Sequence, residues 1–168
     1  MQSTIVYIRS VELSLSLVPV TPKGFYMEIR SATREDSESI AELHRAETGR
    51  QPYTTGIFGQ VANFPSAVAF DGSKMIAFAL SQQFAPDILE ITDLLVSRSH
   101  RNTGVGTAIL AHLEKQAYGQ YASLILCNSI LYEAPGKRLA SGFYERNGYF
   151  PAHETGNTTV FVKSIEKD

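Results

Sequence analysis

The chain has 168 residues, of which 43% are hydrophobic and 19% charged, and its formal net charge is −2. This length suits one domain with a substantial core, and the nearly balanced charge argues against a protein that coats nucleic acid. A single cysteine excludes an intramolecular disulfide and a cysteine-based zinc site, and the four histidines show no ligand spacing.

The sequence contains no apolar run long enough to span a bilayer. Its first residues also lack a basic stretch ahead of an unbroken apolar core, so a secretory signal is not expected. We therefore predict a cytoplasmic protein that has no metal site and binds neither membrane nor nucleic acid.

The N-terminal segment alternates apolar and polar residues over 4–18, which is typical of a strand. Two interpretations are open for residues 1–26. They form an extra strand that pairs with a sheet edge or a partner chain, or they are an upstream extension of a domain that starts at Met27. The second is preferred because a complete domain pattern begins there. We accordingly divide the chain into an extension, 1–26, and a domain, 27–168.

The domain begins with a short strand and a helix. Thr33, with Asp36 three residues later, has the pattern of a helix cap, and Ile40, Leu43 and Ala46 recur at helical spacing. The next stretch, GRQPYTTGIFGQVANFP, is rich in Gly, Pro, Tyr and Asn, and we predict a loop with at most one helical turn.

The rest of the chain alternates strands and helices. SAVAFD and MIAFALSQQF read as a hairpin through DGSK, and ILEITDLLVS as a third strand. A helix from Gly104 to Tyr118, the strand YASLILCN, a helix GKRLASGFYERNG closed by Gly148, and the hairpin YFPAHE and TTVFVKS follow. This order predicts an α/β (α+β) fold. Its mixed, mostly antiparallel sheet would have about seven strands flanked by helices, plus the extra N-terminal segment.

The segment VSRSHRNTGVGTAIL passes from strand to helix and carries the pattern R-x-x-G-x-G. The first N–H groups of a helix have no partner within the helix, and Gly104 and Gly106 would let a phosphate approach them. Arg101 can bind two phosphate oxygens, and Thr103 and Thr107 can donate hydroxyl hydrogen bonds. A dinucleotide fingerprint would need a third glycine, and a Walker loop a lysine. The loop alone leaves an alternative to an anion site open. In that alternative the glycines only permit a tight strand-to-helix turn, and the arginines are ordinary surface residues.

The element order and two motifs resemble the GNAT superfamily of acyl-CoA-dependent N-acyltransferases. Arg101, Gly104 and Gly106 match the family signature Q/R-x-x-G-x-G/A. Asn128 at the end of a strand, followed by ASGFYERNGYF, is similar to the family's A-x-x-F-Y-x-x-x-G-F region. The resemblance covers about residues 27–163 and leaves out the N-terminal segment.

The resemblance implies acetyl-CoA as the acyl donor, with no metal. The strand end near Leu95 and Val96 would hydrogen-bond the pantetheine arm through its backbone, and Asn128 would contact the same arm where two strands separate. Arg101 and backbone N–H groups of the loop would hold the pyrophosphate. These loop residues are Asn102, Thr103, Gly104, Val105, Gly106 and Thr107.

The resemblance also implies that a primary amine attacks the thioester directly in a ternary complex. Such an amine, with a pKa of about 10.4, must first lose a proton. Glu90 and Asp93 are the candidate bases, three residues apart on one strand and so expected on opposite faces. Each matches a position where some members carry an acid, and Glu90 is preferred. Tyr144 matches the family's usual acid for the departing thiolate, and a backbone N–H near Leu95 would stabilise the oxyanion.

An interpretation from another class is a non-catalytic acyl-CoA-binding sensor or regulatory module, which would need the loop but not Tyr144 or an acid. If the chain is an enzyme, the acceptor is a small-molecule amine, an amino acid, or a peptide or protein amine. The loops 48–66 and 129–136 would shape its site, and a homodimer is left open. Cys127 is expected to be a buried structural thiol and His100 a solvated loop residue. Lys137 and Arg138 are weaker candidates for phosphate contact.

Overall fold

A computed structural model describes residues 16–19, 26–129 and 141–166. Its strands are β1 Ser16–Pro19, β2 Tyr26–Ser31, β3 Ala67–Asp71, β4 Lys74–Ala85, β5 Ile88–Val96, β6 Ser123–Ser129, β7 Phe150–Glu154 and β8 Thr158–Ser164. Its helices are α1 Ser37–Thr48, α2 Thr54–Asn63, α3 Val105–Ala117 and α4 Ser141–Arg146, with short 3-10 turns at Arg34–Asp36 and Arg98–His100.

All described strands form one sheet in the order β1-β2-β3-β4-β5-β6-β8-β7. Every neighbouring pair is antiparallel except β5 and β6, which are parallel. Strands β2 to β8 are the seven predicted from the sequence, and the predicted fold class is confirmed. Strand β1 adds an edge strand beside β2. The division of the chain at residue 26 stays a prediction.

Helices pack on both faces of the sheet and create two apolar cores. The first core lies between α3 and the sheet. Its members include Met27, Ile29, Ala69, Leu89, Ile91, Ile109, Leu113, Leu124 and Phe161. The second core lies under α1 and α2. Its members are Ile40, Ala41, Leu43, Ile57, Val68, Met75, Phe78 and Leu80. No helix in the described ranges is long and apolar enough to cross a membrane.

The loop prediction for residues 49–65 is wrong, because a ten-residue helix, α2, occupies most of this segment. Two glycines and two adjacent threonines give this segment low intrinsic helix propensity. Burial compensates: Ile57 is almost fully buried in the second core, and Gln60 donates a hydrogen bond to the Thr92 hydroxyl of β5 at 2.8 Å. Tertiary packing therefore decides the conformation here.

The predicted cap at Thr33 is confirmed. The Asp36 carboxylate accepts the Thr33 N–H at 2.8 Å and two guanidinium bonds from Arg30 of β2, both at 2.7 Å. Burial alone would raise the pKa of Asp36, but the bonds from Arg30 and Thr33 outweigh it and hold that pKa below its usual value. This paired, largely buried carboxylate ties the start of α1 to β2.

The last helix ends at Arg146, and the chain turns at the predicted Gly148, whose φ of 83° is left-handed. Its described part begins at Ser141. Lys137, Arg138 and most of the predicted acceptor loop 129–136 lie outside the described residues.

Candidate active site

Strands β5 and β6 separate after a short paired stretch. Their register pairs Ile88 with Ser123 and ends with Glu90 opposite Ile125, yet β5 continues to Val96 and β6 to Ser129. A cleft of about 1830 Å³ lies at the gap that opens between them. The ends of α1 and β6, the outer half of β5, the start of α3 and α4 all line it.

The backbone of β5 presents hydrogen-bonding groups to this gap. Ser97 N–H donates to the Ile76 carbonyl of β4 at 2.8 Å. Hydrogen-bonded and non-hydrogen-bonded residue pairs alternate along an antiparallel ladder. The next residue of β5 whose backbone bonds to β4 is therefore Leu95, which is paired with Phe78. The N–H and C=O groups of Leu94 and Val96 therefore point towards the gap. The N–H of Leu95 itself bonds to β4, so the groups available to a ligand in the gap are those of Leu94 and Val96.

An irregularity in β5 changes the predicted placement of the two acids. Leu80 pairs with Asp93 but Ser81 pairs with Ile91, so Thr92 is an extra residue, a β-bulge. Before the bulge Leu89 and Ile91 pack on the α3 side, and after it Leu94 and Val96 do. Glu90 and Asp93 consequently lie on the same face of the sheet, the one that α1 and α2 cover. The expectation of opposite faces is wrong because alternation fails across a bulge.

The two candidate bases both line the cleft. Gln82 Nε2 donates to Glu90 Oε2 at 2.7 Å.

Cys127 is exposed on the neighbouring strand, β6, which corrects the expectation of a buried thiol. Partial burial and the charge of Glu90 raise the pKa of Cys127, so its thiol stays protonated and is a poor nucleophile.

The loop before α3 has the geometry of an anion site. Asn102 and Gly104 have left-handed backbones with φ of 62° and 89°, and the helix begins at Val105. Ala108 N–H bonds to the Gly104 carbonyl at 3.0 Å, so the three N–H groups before Ala108 lie ahead of the first such bond. The N–H dipoles at the start of a helix favour an anion.

The two glycines of the motif have different structural reasons. Gly104 is needed for its left-handed φ of 89°. A Cβ on Gly106 would come within 3.2 Å of the Phe143 ring, so this glycine allows α4 to approach α3 closely.

The predicted loop residues that line the cleft together with Arg101 are Asn102, Gly104, Gly106 and Thr107. Thr103 and Val105 do not, since the Thr103 hydroxyl donates to the His100 carbonyl at 2.6 Å and Val105 is fully buried.

Arg101 is held at the rim of the gap. Its Nε donates to the Val96 carbonyl at 3.0 Å, and its Nη2 lies 3.4 Å from Glu47 Oε2 at the end of α1. His100 is also fixed, not solvated as expected. The Ser97 hydroxyl lies 2.7 Å from its Nδ1, and the Asp71 carboxylate 3.6 Å from its Nε2.

Asn128 is buried at the end of β6 and lines the cleft. Its Nδ2 is a buried donor for which the described part of the chain supplies no acceptor. Such a donor is costly unless a ligand or water satisfies it. The sequence pattern identified this position, but only the fold shows the unsatisfied amide facing a gap between strands.

Tyr144 lines the cleft within an aromatic cluster. Its ring centroid lies 5.2 Å from Phe143, 5.3 Å from Phe161 and 6.1 Å from Tyr149. These ring contacts hold Tyr144 in the wall of the cleft.

The end of α4 is bound to α3 and β8 by a polar network. The Tyr149 hydroxyl donates to Glu114 Oε1 at 2.9 Å, and Lys163 Nζ donates to Glu114 Oε2 at 2.7 Å and to the Asn147 carbonyl at 2.9 Å. Burial, followed by Glu114, strongly raises the pKa of Tyr149. Tyr149 is therefore a structural tyrosine, whereas Tyr144 is the one that lines the cleft.

Comparison with known proteins agrees with this geometry. The model of the acetyltransferase (GNAT) domain family matches residues 63–151. An uncharacterized N-acetyltransferase of Methanocaldococcus jannaschii is 31% identical over 127 residues, which are 73% of this chain and 78% of that protein. The chain belongs to the GNAT acetyltransferase family. The prediction of an acyl-CoA-dependent acetyltransferase is thereby confirmed, and the non-catalytic alternative is set aside.

Solved GNAT structures have the same fold. The ribosomal-protein-S18-alanine N-acetyltransferase from Escherichia coli superposes with a TM-score of 0.70 at 18% identity, covering 84% of this chain and 96% of that one. Diaminobutyrate acetyltransferase EctA from Paenibacillus lautus, in complex with L-2,4-diaminobutyric acid and coenzyme A, superposes with a TM-score of 0.65 at 20% identity. The match covers 84% of this chain and 96% of that one.

Within the described ranges, no three His, Cys, Asp or Glu side chains lie close enough together to hold a metal ion.

Proposed function

We propose that this GNAT protein transfers an acetyl group from acetyl-CoA to a primary amine by direct attack in a ternary complex. The pantetheine arm lies in the gap between β5 and β6, bonded to the backbone of Leu94 and Val96. The pyrophosphate binds Arg101 and the N–H groups of the loop residues that line the cleft. These residues are Asn102, Gly104, Gly106 and Thr107. The acceptor amine enters from the face covered by α1 and α2.

The observation that carries the proposal is the buried, unsatisfied Asn128 amide in the gap. A pantetheine arm contains two amide groups whose carbonyls accept hydrogen bonds, and it is narrow enough to lie between two separating strands. Leu94 and Val96 supply backbone groups on the opposite side of the same gap. Hydrogen-bonding groups on both sides of the gap therefore match the two amides of a pantetheine arm.

The chemistry follows from the groups that line the cleft. Glu90 or Asp93, directly or through water, takes a proton from the acceptor ammonium, because only the neutral amine is a nucleophile. The amine nitrogen then bonds to the thioester carbonyl carbon while the N–H of Leu94 or Val96 stabilises the oxyanion. The carbon–sulfur bond breaks, and Tyr144 donates its hydroxyl proton to the leaving thiolate. The attacking nitrogen loses its second proton as the amide forms, and a proton returned from solvent restores the Tyr144 hydroxyl.

The acceptor is proposed as an amine of a small molecule, an amino acid or a peptide. The bulge at Thr92 supports a cationic acceptor, because it places Glu90 and Asp93 on the acceptor side together. The two solved structures support an amine acceptor, since one is a ribosomal-protein-S18-alanine N-acetyltransferase and the other holds its substrate L-2,4-diaminobutyric acid. A cytoplasmic location and a homodimer stay predictions.

The test is an acetyl-CoA consumption screen across polyamines, diamino acids, single amino acids and short peptides. The proposal expects CoA release with at least one amine class and none without an amine. The Tyr144→Phe variant provides the matched control, since it keeps the aromatic ring and removes only the hydroxyl. Equal CoA release by both proteins, or release that does not depend on the amine, would overturn the proposed chemistry.

A further inference from the structure

Glu47 lies at an electrostatically unfavourable place for its own helix. It is the last but one residue of α1, where the carbonyl dipoles disfavour an anion. Its side chain is only 14% exposed, so water solvates it poorly. A carboxylate in this position needs cations or donors from elsewhere in the fold.

The partners of Glu47 within the described residues come from the loop ahead of α3. Arg98 N–H donates to Glu47 Oε1 at 3.0 Å, and the guanidinium of Arg98 lies 3.4 Å from Oε2 through Nε. Arg98 Nη2 also donates to the Glu47 backbone carbonyl at 3.3 Å, which caps the end of α1. Arg101 Nη2 lies 3.4 Å from Oε2. One carboxylate therefore holds two arginines of the loop.

The arrangement leaves Arg101 able to bind an anion. A guanidinium has five N–H groups, and the bonds of Arg101 to Val96 and Glu47 use one at Nε and one at Nη2. The remaining three suffice for a two-pronged bond to phosphate. Two guanidinium charges against one carboxylate also leave a net positive charge beside the start of α3. Glu47 thus orients the arginines without neutralising the site.

We propose that Glu47 is a positioning residue of the donor site: it fixes Arg101, and with it the anion loop, in the orientation that receives the pyrophosphate of acetyl-CoA. This rests on the proposed function. The end of α1 also lines the cleft, on the face from which the acceptor amine is proposed to enter. The Glu47 carboxylate thus links the anion loop to helix α1. A purely competitive role, in which Glu47 occupies Arg101 until the pyrophosphate displaces it, predicts the opposite sign for the test below.

The test is calorimetric titration of CoA into Glu47→Gln, Arg101→Gln and the double variant. Pantetheine at millimolar concentration is the matched probe, because it lacks the pyrophosphate. We expect Glu47→Gln to raise the Kd for CoA about five- to tenfold and to leave pantetheine binding unchanged. In the Arg101→Gln background the same substitution should have no further effect, and Glu47→Asp should restore part of the affinity.

Tighter CoA binding by Glu47→Gln would show competition instead of positioning. Equal weakening of CoA and pantetheine, or additive losses in the double variant, would show that Glu47 acts only on the stability of α1, and either result overturns the inference. The proposed function fails separately: CoA affinity unchanged in Arg101→Gln would remove the pyrophosphate assignment itself. A normal Arg101→Gln loss with an unaffected Glu47→Gln would overturn only the role of Glu47.

Discussion

The Tyr149 hydroxyl donates to Glu114 Oε1 at 2.9 Å. This bond gives Tyr149 a structural role that differs from the role of Tyr144, five residues earlier. Tyr149 is almost fully buried and its pKa is strongly raised. Tyr144, which lies in α4, lines the cleft. The pair offers a natural comparison, because the same chemical change at each position should have different consequences.

Tyr144→Phe should lower turnover by about one to two orders of magnitude while leaving CoA affinity nearly unchanged, because only the proton donor is lost. Tyr149→Phe should instead lower the free energy of unfolding by about 1–3 kcal/mol, since it leaves a Glu114 oxygen without its donor. Steady-state kinetics and thermal unfolding of both variants measure this. A Tyr144→Phe enzyme with normal turnover would rule out the acid role.

Glu90→Gln and Asp93→Asn distinguish the two candidate bases. Each substitution keeps the size of the side chain and removes its ability to take a proton. The variant that lacks the base should lose about 10²- to 10⁴-fold in kcat/KM at neutral pH, and less at high pH, where the amine is already neutral. The other variant should change mainly KM, through weaker attraction of the ammonium. If both retain nearly full kcat/KM at neutral pH, neither carboxylate is the base.

Gly106→Ala should reduce activity without the stabilisation that alanine normally gives a helix. Its Cβ would meet the Phe143 ring at 3.2 Å and displace the helix that carries Tyr144. Gly59→Ala in α2 is the matched control, because nothing lies within 4 Å of its added Cβ. That variant should gain about 0.5–1 kcal/mol in the free energy of unfolding. Equal gains at both positions would contradict the close approach of α4 to α3.

Asp36 makes stability depend on pH in the acid range. Its pKa is lowered in the folded protein, so its contribution is fully present above the ordinary aspartate pKa of about 3.9 and is lost as pH falls below it. Asp36→Asn should lower the free energy of unfolding at pH 7 by about 1–3 kcal/mol. The difference from the unsubstituted protein should shrink towards pH 3. Denaturant unfolding at several pH values measures it, and a constant difference would exclude the linkage.

The sequence was sufficient for the order of strands β2 to β8, for helices α1, α3 and α4, for the strand-to-helix turn after β5 and for the cap at Thr33, because each depends on local chemistry or on a short motif. It was not sufficient for the relative placement of Glu90 and Asp93. Counting along a strand gives opposite faces, whereas the bulge at Thr92 depends on how β4 and β5 pair. Helix α2 was missed for a related reason. Its stability comes from packing of Ile57 against distant strands, which local propensity does not encode.

The most direct measurement of the central claim is calorimetric titration of CoA into the protein and its Gly104→Asp variant. An aspartate there combines an unfavourable left-handed backbone, φ 89°, with a negative charge at the anion site. Gly119→Asp is the matched control, since Gly119 has φ 79°, has nothing within 4 Å of an added Cβ and lies outside the residues lining the cleft. We predict saturable CoA binding by the unsubstituted protein and by Gly119→Asp, and none by Gly104→Asp. Unchanged CoA affinity in Gly104→Asp would contradict the assignment of this cleft as the acetyl-CoA site.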